Sequence, residues 1–222
     1  DARDDPDIGR VFAISTGEVT VRQYQEFDHG HDYYAYRSPT ADCPMGLINW
    51  FDSAKYCRWL SEQTGSDPES SYPADISIDD QNKTFDDVLQ SGAYRLPTPA
   101  EWRFACAALT TSRRYYGWSD SLSDDYYRYY ETSLINQTEV RYFPAGTMMP
   151  NDFGMFAMYD GVREWCHTRK AARRYVMGSS SSYVRNQASS MLAELVESLP
   201  ADLPLAANGY YGLRVAKTIT KP

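Results

Sequence analysis

The stretch Tyr94-Arg-Leu-Pro-Thr-Pro-Ala-Glu-Trp-Arg-Phe-Ala-Cys106 decides how the rest of this chain is read. Thr98 can accept a hydrogen bond from the amide three residues on, while Glu101 reaches back to the amide of Thr98. Pro99 stands at the first helical position, where its missing N–H costs nothing. These residues predict a helix start at Thr98. Trp102, Ala105, Cys106 and Leu109 then recur at i, i+3, i+4 and i+7, which gives a core helix with an indole on its apolar face.

Working outward, Phe12 and Ile14 alternate as in a short strand. Thr20 and Gln23 repeat the capping pattern before Val21, Tyr24 and Phe27, and Asn49 opens a helix through Trp50, Ala54, Cys57 and Leu60 that stops at Gly65. Residues 66–89 are rich in aspartate with one basic residue, Lys83, and read as a solvated acidic insertion with a short helix before Gly92. Asp79, Asp80, Asp86 and Asp87 lack the alternating aspartates of a calcium loop. His29 and His31 lie in a polar loop with Tyr33, Tyr34 and Tyr36; no carboxylate or thiolate pattern accompanies them, so solvated side chains are expected there and no metal site.

Arg95-Leu-Pro-Thr with Ala100-Glu-Trp, Asn151-Asp-Phe-Gly-Met-Phe, Val162-Arg-Glu-Trp-Cys166 and Gly212-Leu-Arg-Val-Ala216 follow one another in an order that resembles the formylglycine-generating-enzyme (sulfatase-modifying factor) family, from about Val11 to Lys217. The resemblance implies an α+β chain with the family's C-type lectin-like fold and little regular secondary structure. Residues 1–10 then read as a linker or tail and 11–222 as a single domain carrying the insertion.

The family's usual His-Gly-Asn-Val-Trp-Glu-Trp run, which in relatives helps to bind a structural calcium, is here Tyr159-Asp-Gly-Val-Arg-Glu-Trp165. Gly161 removes one oxygen ligand and Asp160 is the candidate substitute, so no cofactor is expected and structural calcium is the exception left open. Glu164 should be buried and hydrogen-bonded.

At 222 residues and 42% hydrophobic the chain can bury one sizeable core. A net charge of -8 argues against nucleic-acid or anionic-membrane partners, which need a basic face. No apolar run reaches the roughly eighteen residues of a membrane span and no leader opens the sequence. Cys43, Cys57, Cys106 and Cys166 are widely spaced; reduced thiols at Cys57 and Cys106 fit a cytoplasmic protein, and the pairing of Cys43 and Cys166 stays open. Nineteen tyrosines, several between Tyr115 and Tyr130, divide in this reading between core hydroxyls and exposed contact area.

Function divides on one segment. The family's oxidase needs two cysteine thiolates four residues apart after its Arg-x-x-Gly-Gly-Ser motif to hold copper, since soft ligands suit Cu(I). The matching residues 174–190 contain no cysteine. The expected function is therefore non-catalytic binding of a protein or other macromolecule by a monomeric domain of a larger chain. The serine- and tyrosine-rich late segments supply the candidate ligand-binding residues: Ser181, Ser182, Tyr183, Arg185 and Asn186, with Asn208, Tyr210 and Tyr211. In this the chain is similar to the ligand-binding variable proteins of diversity-generating retroelements. The alternatives are a copper-dependent oxidase and a sensor domain of a bacterial Ser/Thr kinase.

Overall fold

The computed structural model of the chain describes residues 8–112, 114–128, 134–135, 139–144, 146–178, 201–207 and 209–220. The elements foreseen around the capping motifs form where the local chemistry puts them. Strand β1 (Phe12–Ile14) is followed by helix α1 (Val21–Phe27), capped by Thr20 and Gln23, and by helix α2 (Trp50–Gln63), capped by Asn49. After strand β2 (Tyr94–Arg95) comes helix α3 (Pro99–Ala107), where Glu101 N donates to Thr98 Oγ1 (3.2 Å) and Thr98 N to Glu101 Oε2 (2.8 Å). Ala108 ends α3 in the left-handed conformation at φ 47°, and Leu109, expected on its apolar face, turns outward and is exposed. The helix is over before the stripe reaches it.

A one-turn helix α4 (Ser123–Tyr126) precedes the paired strands β3 (Leu134–Ile135) and β4 (Glu139–Val140). The chain then enters the long hairpin of β5 (Arg163–Lys170) and β6 (Arg173–Met177), and finishes through β7 (Ala201–Asp202), β8 (Tyr211–Gly212) and β9 (Ala216–Thr218). Two sheets organise the described residues beyond that small ribbon: β1-β9-β2, antiparallel, and β7-β6-β5-β8, in which β8 runs parallel to β5.

Strand β5 is buried from Glu164 to His167 without alternation because apolar layers cover both its faces. Trp165 and Val176 pack with Trp50, Tyr24 and Tyr72 on one side; Cys166 and Met177 pack with Trp102, Tyr115, Tyr127 and Tyr159 on the other. The three fully buried indoles each find an acceptor: Trp50 Nε1 on Cys166 O (2.9 Å), Trp165 Nε1 on Ile48 O (2.8 Å) and Trp102 Nε1 on Glu164 Oε2 (2.6 Å). An indole N–H left alone at such depth would lose its water without replacement.

Two buried ion pairs close the structure. Arg95 meets Glu101 through two 2.7 Å bonds, and although burial opposes ionisation, the guanidinium holds the Glu101 carboxyl below the usual carboxylate range. Arg214 meets Glu164 at 2.9–3.1 Å and spends its other donors on Ser15 O and Phe156 O.

Three expectations change. Ile8 is buried and Arg10 Nε donates to Glu101 Oε1 at 2.8 Å, so the last residues of the expected tail belong to the fold. The acidic insertion is anchored, with Tyr72, Ile76 and Val88 in the core and Asp80 buried, while Asp75, Asp79, Asp86 and Asp87 face water. His31 is not a solvated side chain: its ring lies edge-on to Tyr24 at 4.9 Å and Nε2 sits 3.1 Å from Leu47 O. All four cysteines are buried and free, which answers the open pairing of Cys43 and Cys166.

Removing the Thr98 hydroxyl in Thr98→Ala is expected to cost about 1 kcal/mol, and Trp102→Ala about 3 to 5 kcal/mol, because the latter opens a cavity and strips a donor from Glu164. Urea melts of both variants check the order; a Trp102 variant milder than the cap variant contradicts the placement of the indole.

Candidate functional site

Described residues that flank the two late segments meet at one end of the larger sheet. Met177 and Gly212 both lie opposite Glu164, one on each side of β5, and Arg163 N donates to Tyr210 O at 2.7 Å. Gly178 stands next to Met177 at φ 79°, with Trp102 and Val162 against it, and Gly209 packs against Tyr34 and Arg37.

Of the residues expected to bind, Ser181, Ser182, Tyr183, Arg185, Asn186 and Asn208 lie outside the described residues. The remaining two part company. Tyr211 is buried, its ring 4.9 Å from Trp165 and its hydroxyl donating to the Asp202 carboxylate. It is core, a correction forced by the parallel β5–β8 pairing that turns its side chain inward. Tyr210 is half-buried at the rim, where its hydroxyl accepts from Arg37 Nη2 at 3.2 Å.

Arg37 is the residue that sequence reading missed. Its guanidinium carbon lies 4.4 Å from the Tyr210 ring centre, 5.4 Å from Tyr36 and 5.8 Å from Tyr34, so one cation is wedged among three rings. Arg37 Nε also donates to Tyr36 Oη (3.3 Å), and its Nη1 is buried with no hydrogen-bond partner among the described residues. Contacts of this kind contribute about 0.5–2 kcal/mol each, more as water is excluded. Tyr34 and Tyr36 stack on each other at 5.3 Å and remain about 40% exposed. The close approach depends on Gly209, where a Cβ would stand 2.7 Å from Tyr34 Cδ2 and 2.9 Å from Arg37 Nε. The available signal was a lone arginine ending a tyrosine run.

Tyr115, Tyr116 and Tyr127, by contrast, form a buried cluster with Tyr159, the Tyr115 and Tyr159 rings stacking at 4.5 Å. The described residues of that region supply core, and the exposed aromatic among them is Trp118. Burial pushes the thiols of Cys57, Cys106 and Cys166 well above the ordinary range, so they stay protonated and poor as nucleophiles or ligands.

The model of the sulfatase-modifying factor enzyme 1-like domain family matches residues 2–219. The chain belongs to this family. Among relatives of this sulfatase-modifying-factor domain, the chaperone protein LppX of Paenibacillus barcinonensis is 26% identical over 179 residues, 70% of the chain; the match spans 61% of LppX. Among solved structures, Treponema denticola variable protein 1 aligns with a TM-score of 0.71 at 18% identity, covering 93% of this chain and 84% of that one. CarF gives 0.68 at 20% identity (94% and 87%), and PvdO from Pseudomonas aeruginosa 0.64 at 17% (94% and 80%). The fold is the C-type lectin-like fold of the formylglycine-generating-enzyme type.

Within this family frame the loop Tyr159–Glu164 is rebuilt. Gly161 adopts φ 72°, and a Cβ there would overlap the buried Glu18 carboxylate. Glu18 Oε1 accepts from Val162 N (2.7 Å), while Asp160 accepts from Gly161 N (2.7 Å) and Arg128 N (3.0 Å). The carboxylates here answer backbone amides, and the side-chain space at position 161 is filled by Glu18; this donor set does not fit the calcium loop that the family resemblance implies. Burial and then the nearby Glu164 push the Glu18 carboxyl well above its usual range.

Gly161→Ala is expected to destabilise by about 2 to 4 kcal/mol, from a left-handed backbone plus an overpacked carboxylate. Millimolar calcium should leave the melting temperature of the wild type unchanged. A rise of many degrees, reversed by chelator, contradicts this assignment.

Proposed function

We propose that this domain is a non-catalytic binding module that holds a protein or other macromolecular partner on the rim around Tyr210. The carrying observation is the Arg37 wedge: a cation set among Tyr34, Tyr36 and Tyr210, with Gly209 packed against it. Tyrosine gives rigid amphipathic area at small entropic cost, arginine gives directional donors, and the serines and asparagines expected at Ser181, Ser182, Asn186 and Asn208 give adaptable polar contacts, with Tyr183 and Arg185 as further anchors. Residues 174–190 hold no thiol, and Cys57, Cys106 and Cys166 hold their protons, so the copper ligands of an oxidase have no counterpart in the segment that should supply them. The likeness to a protein named as variable, and to one named as a chaperone, supports a partner-binding use of the scaffold. A diversified binding protein of a retroelement is the form this reading favours.

Two experiments test it. Incubation with a Cys-x-Pro-x-Arg peptide, copper and reductant is expected to leave the peptide cysteine unchanged; formation of formylglycine contradicts the proposal. The combined variant Arg37→Ala, Ser182→Ala, Tyr183→Ala and Tyr210→Ala should keep a cooperative melt and lose capture of the partner that a pull-down with the wild type identifies. Undiminished capture by this variant places the working surface elsewhere.

A further inference from the structure

A second site lies at the other end of β6, away from the rim. A cavity of about 510 Å³ opens between the turn joining β5 to β6, the start of α3 and the acidic segment around Phe85. It lies within the size range of small-molecule pockets. In a chain of net charge -8, four arginines line it: Arg10, Arg103, Arg169 and Arg174.

Arg10 is committed to Glu101 at 2.8 Å. The other three have no carboxylate partner among the described residues. Arg174 is the floor. It is 1% exposed, its Nη1 and Nη2 donate at 2.9 Å to His167 O and Lys83 O, and its Nε has no hydrogen-bond partner among the described residues. The guanidinium carbon lies 3.8 Å above the Trp50 ring. Burial lowers its pKa to about 10, which still leaves it charged at neutral pH. Arg169 donates only to Asn82 Oδ1 and Ala171 O, and Arg103, half-buried, makes no hydrogen bond or ion pair among the described residues.

The desolvated guanidinium of Arg174 is costly to keep without a counter-charge, and the half-buried Arg103 and Arg169 bring two more positive charges to the same cavity. The backbone adds to the same field. The capping box takes the amides of Thr98 and Glu101 and Pro99 has none, so Ala100, also on the cavity wall, has an amide without an acceptor among the described residues at the positive end of α3. His167 adds no charge: burial, then Arg95 and Arg174, hold its imidazole down to about 3. The one carboxylate on the lining is Asp86, exposed at the mouth, and Phe85 and Leu89 give an apolar wall.

We propose that this cavity binds a small organic anion through a phosphate or carboxylate oxyanion, with Arg103 and Arg169 as its direct contacts, Arg174 as the buried positive floor and the apolar wall against its body. Planar guanidinium forks match both oxyanions. The site shares no residue with the Tyr210 rim and stands or falls independently of it.

Thermal melts with phenyl phosphate, benzoate and inorganic phosphate, each against sodium chloride at matched ionic strength, test the site. At millimolar concentration at least one oxyanion should raise the melting temperature beyond the chloride control, phenyl phosphate more than inorganic phosphate if the wall is used. A response to benzoate alone assigns a carboxylate ligand, and a response to the phosphates assigns a phosphate. Arg103→Gln and Arg169→Gln, singly and together, should abolish the rise while leaving the unliganded melt nearly unchanged. Arg22→Gln, at the exposed Arg22–Asp42 pair, should keep it. No rise above chloride with any probe, a rise preserved in both single variants and the double, or a rise lost equally in Arg22→Gln overturns the proposal.

Discussion

The Glu164 carboxylate is the point on which this fold turns. It receives the indole N–H of Trp102 from α3 and the guanidinium of Arg214 from the chain between β8 and β9, while its own backbone pairs with β6 and β8. One side chain thus joins a helix, the central strand and the C-terminal segment. Buried ion pairs are not stabilising merely by being present, since two charges must leave water. This one is complete: every Arg214 nitrogen has an acceptor, in Glu164, Ser15 O and Phe156 O. Burial, and then Glu164 itself, push the pKa of Glu18, the second carboxyl nearby, well up. Removing either partner of the pair would strand a charge, at a cost of about 3–5 kcal/mol.

Much of this architecture is written locally. The capping boxes at Thr20 and Thr98 and the N-cap at Asn49 fix three helix starts within a few residues, and the hydrogen bonds form as the side chains allow. What could not be read is set by pairing across the chain. Leu109 fits the helical period but stands beyond the left-handed Ala108, and only tertiary packing decides where that helix stops. Tyr210 and Tyr211 are adjacent in sequence, and the parallel register of β8 alone sends one to the rim and the other to the core. The Arg37 wedge joins residues more than 170 positions apart, and no local pattern announces it. The arginines of the second cavity likewise come from the segment before β1, from α3, from β5 and from β6.

The distribution of charge follows from the same division. Arginines bound to carboxylates, Arg95 and Arg214, hold the interior, whereas Arg37, Arg103, Arg169 and Arg174 have no carboxylate partner among the described residues. The latter group lies at the two ends of the β5–β6 hairpin, with the buried network between. A scaffold fixed by interior pairs can change what its ends present without being rebuilt, which is the economy expected of a fold used for recognition.

The central claim is that the interior network holds the domain and the late segment is replaceable. Its most direct measurement compares the melting temperature of a chain whose residues 179–190 are exchanged for a glycine–serine segment of equal length with that of Glu164→Gln. The account predicts a change of a few degrees for the exchange and a fall of about 6 to 20 °C for Glu164→Gln. An exchange as damaging as the loss of the carboxylate would contradict it.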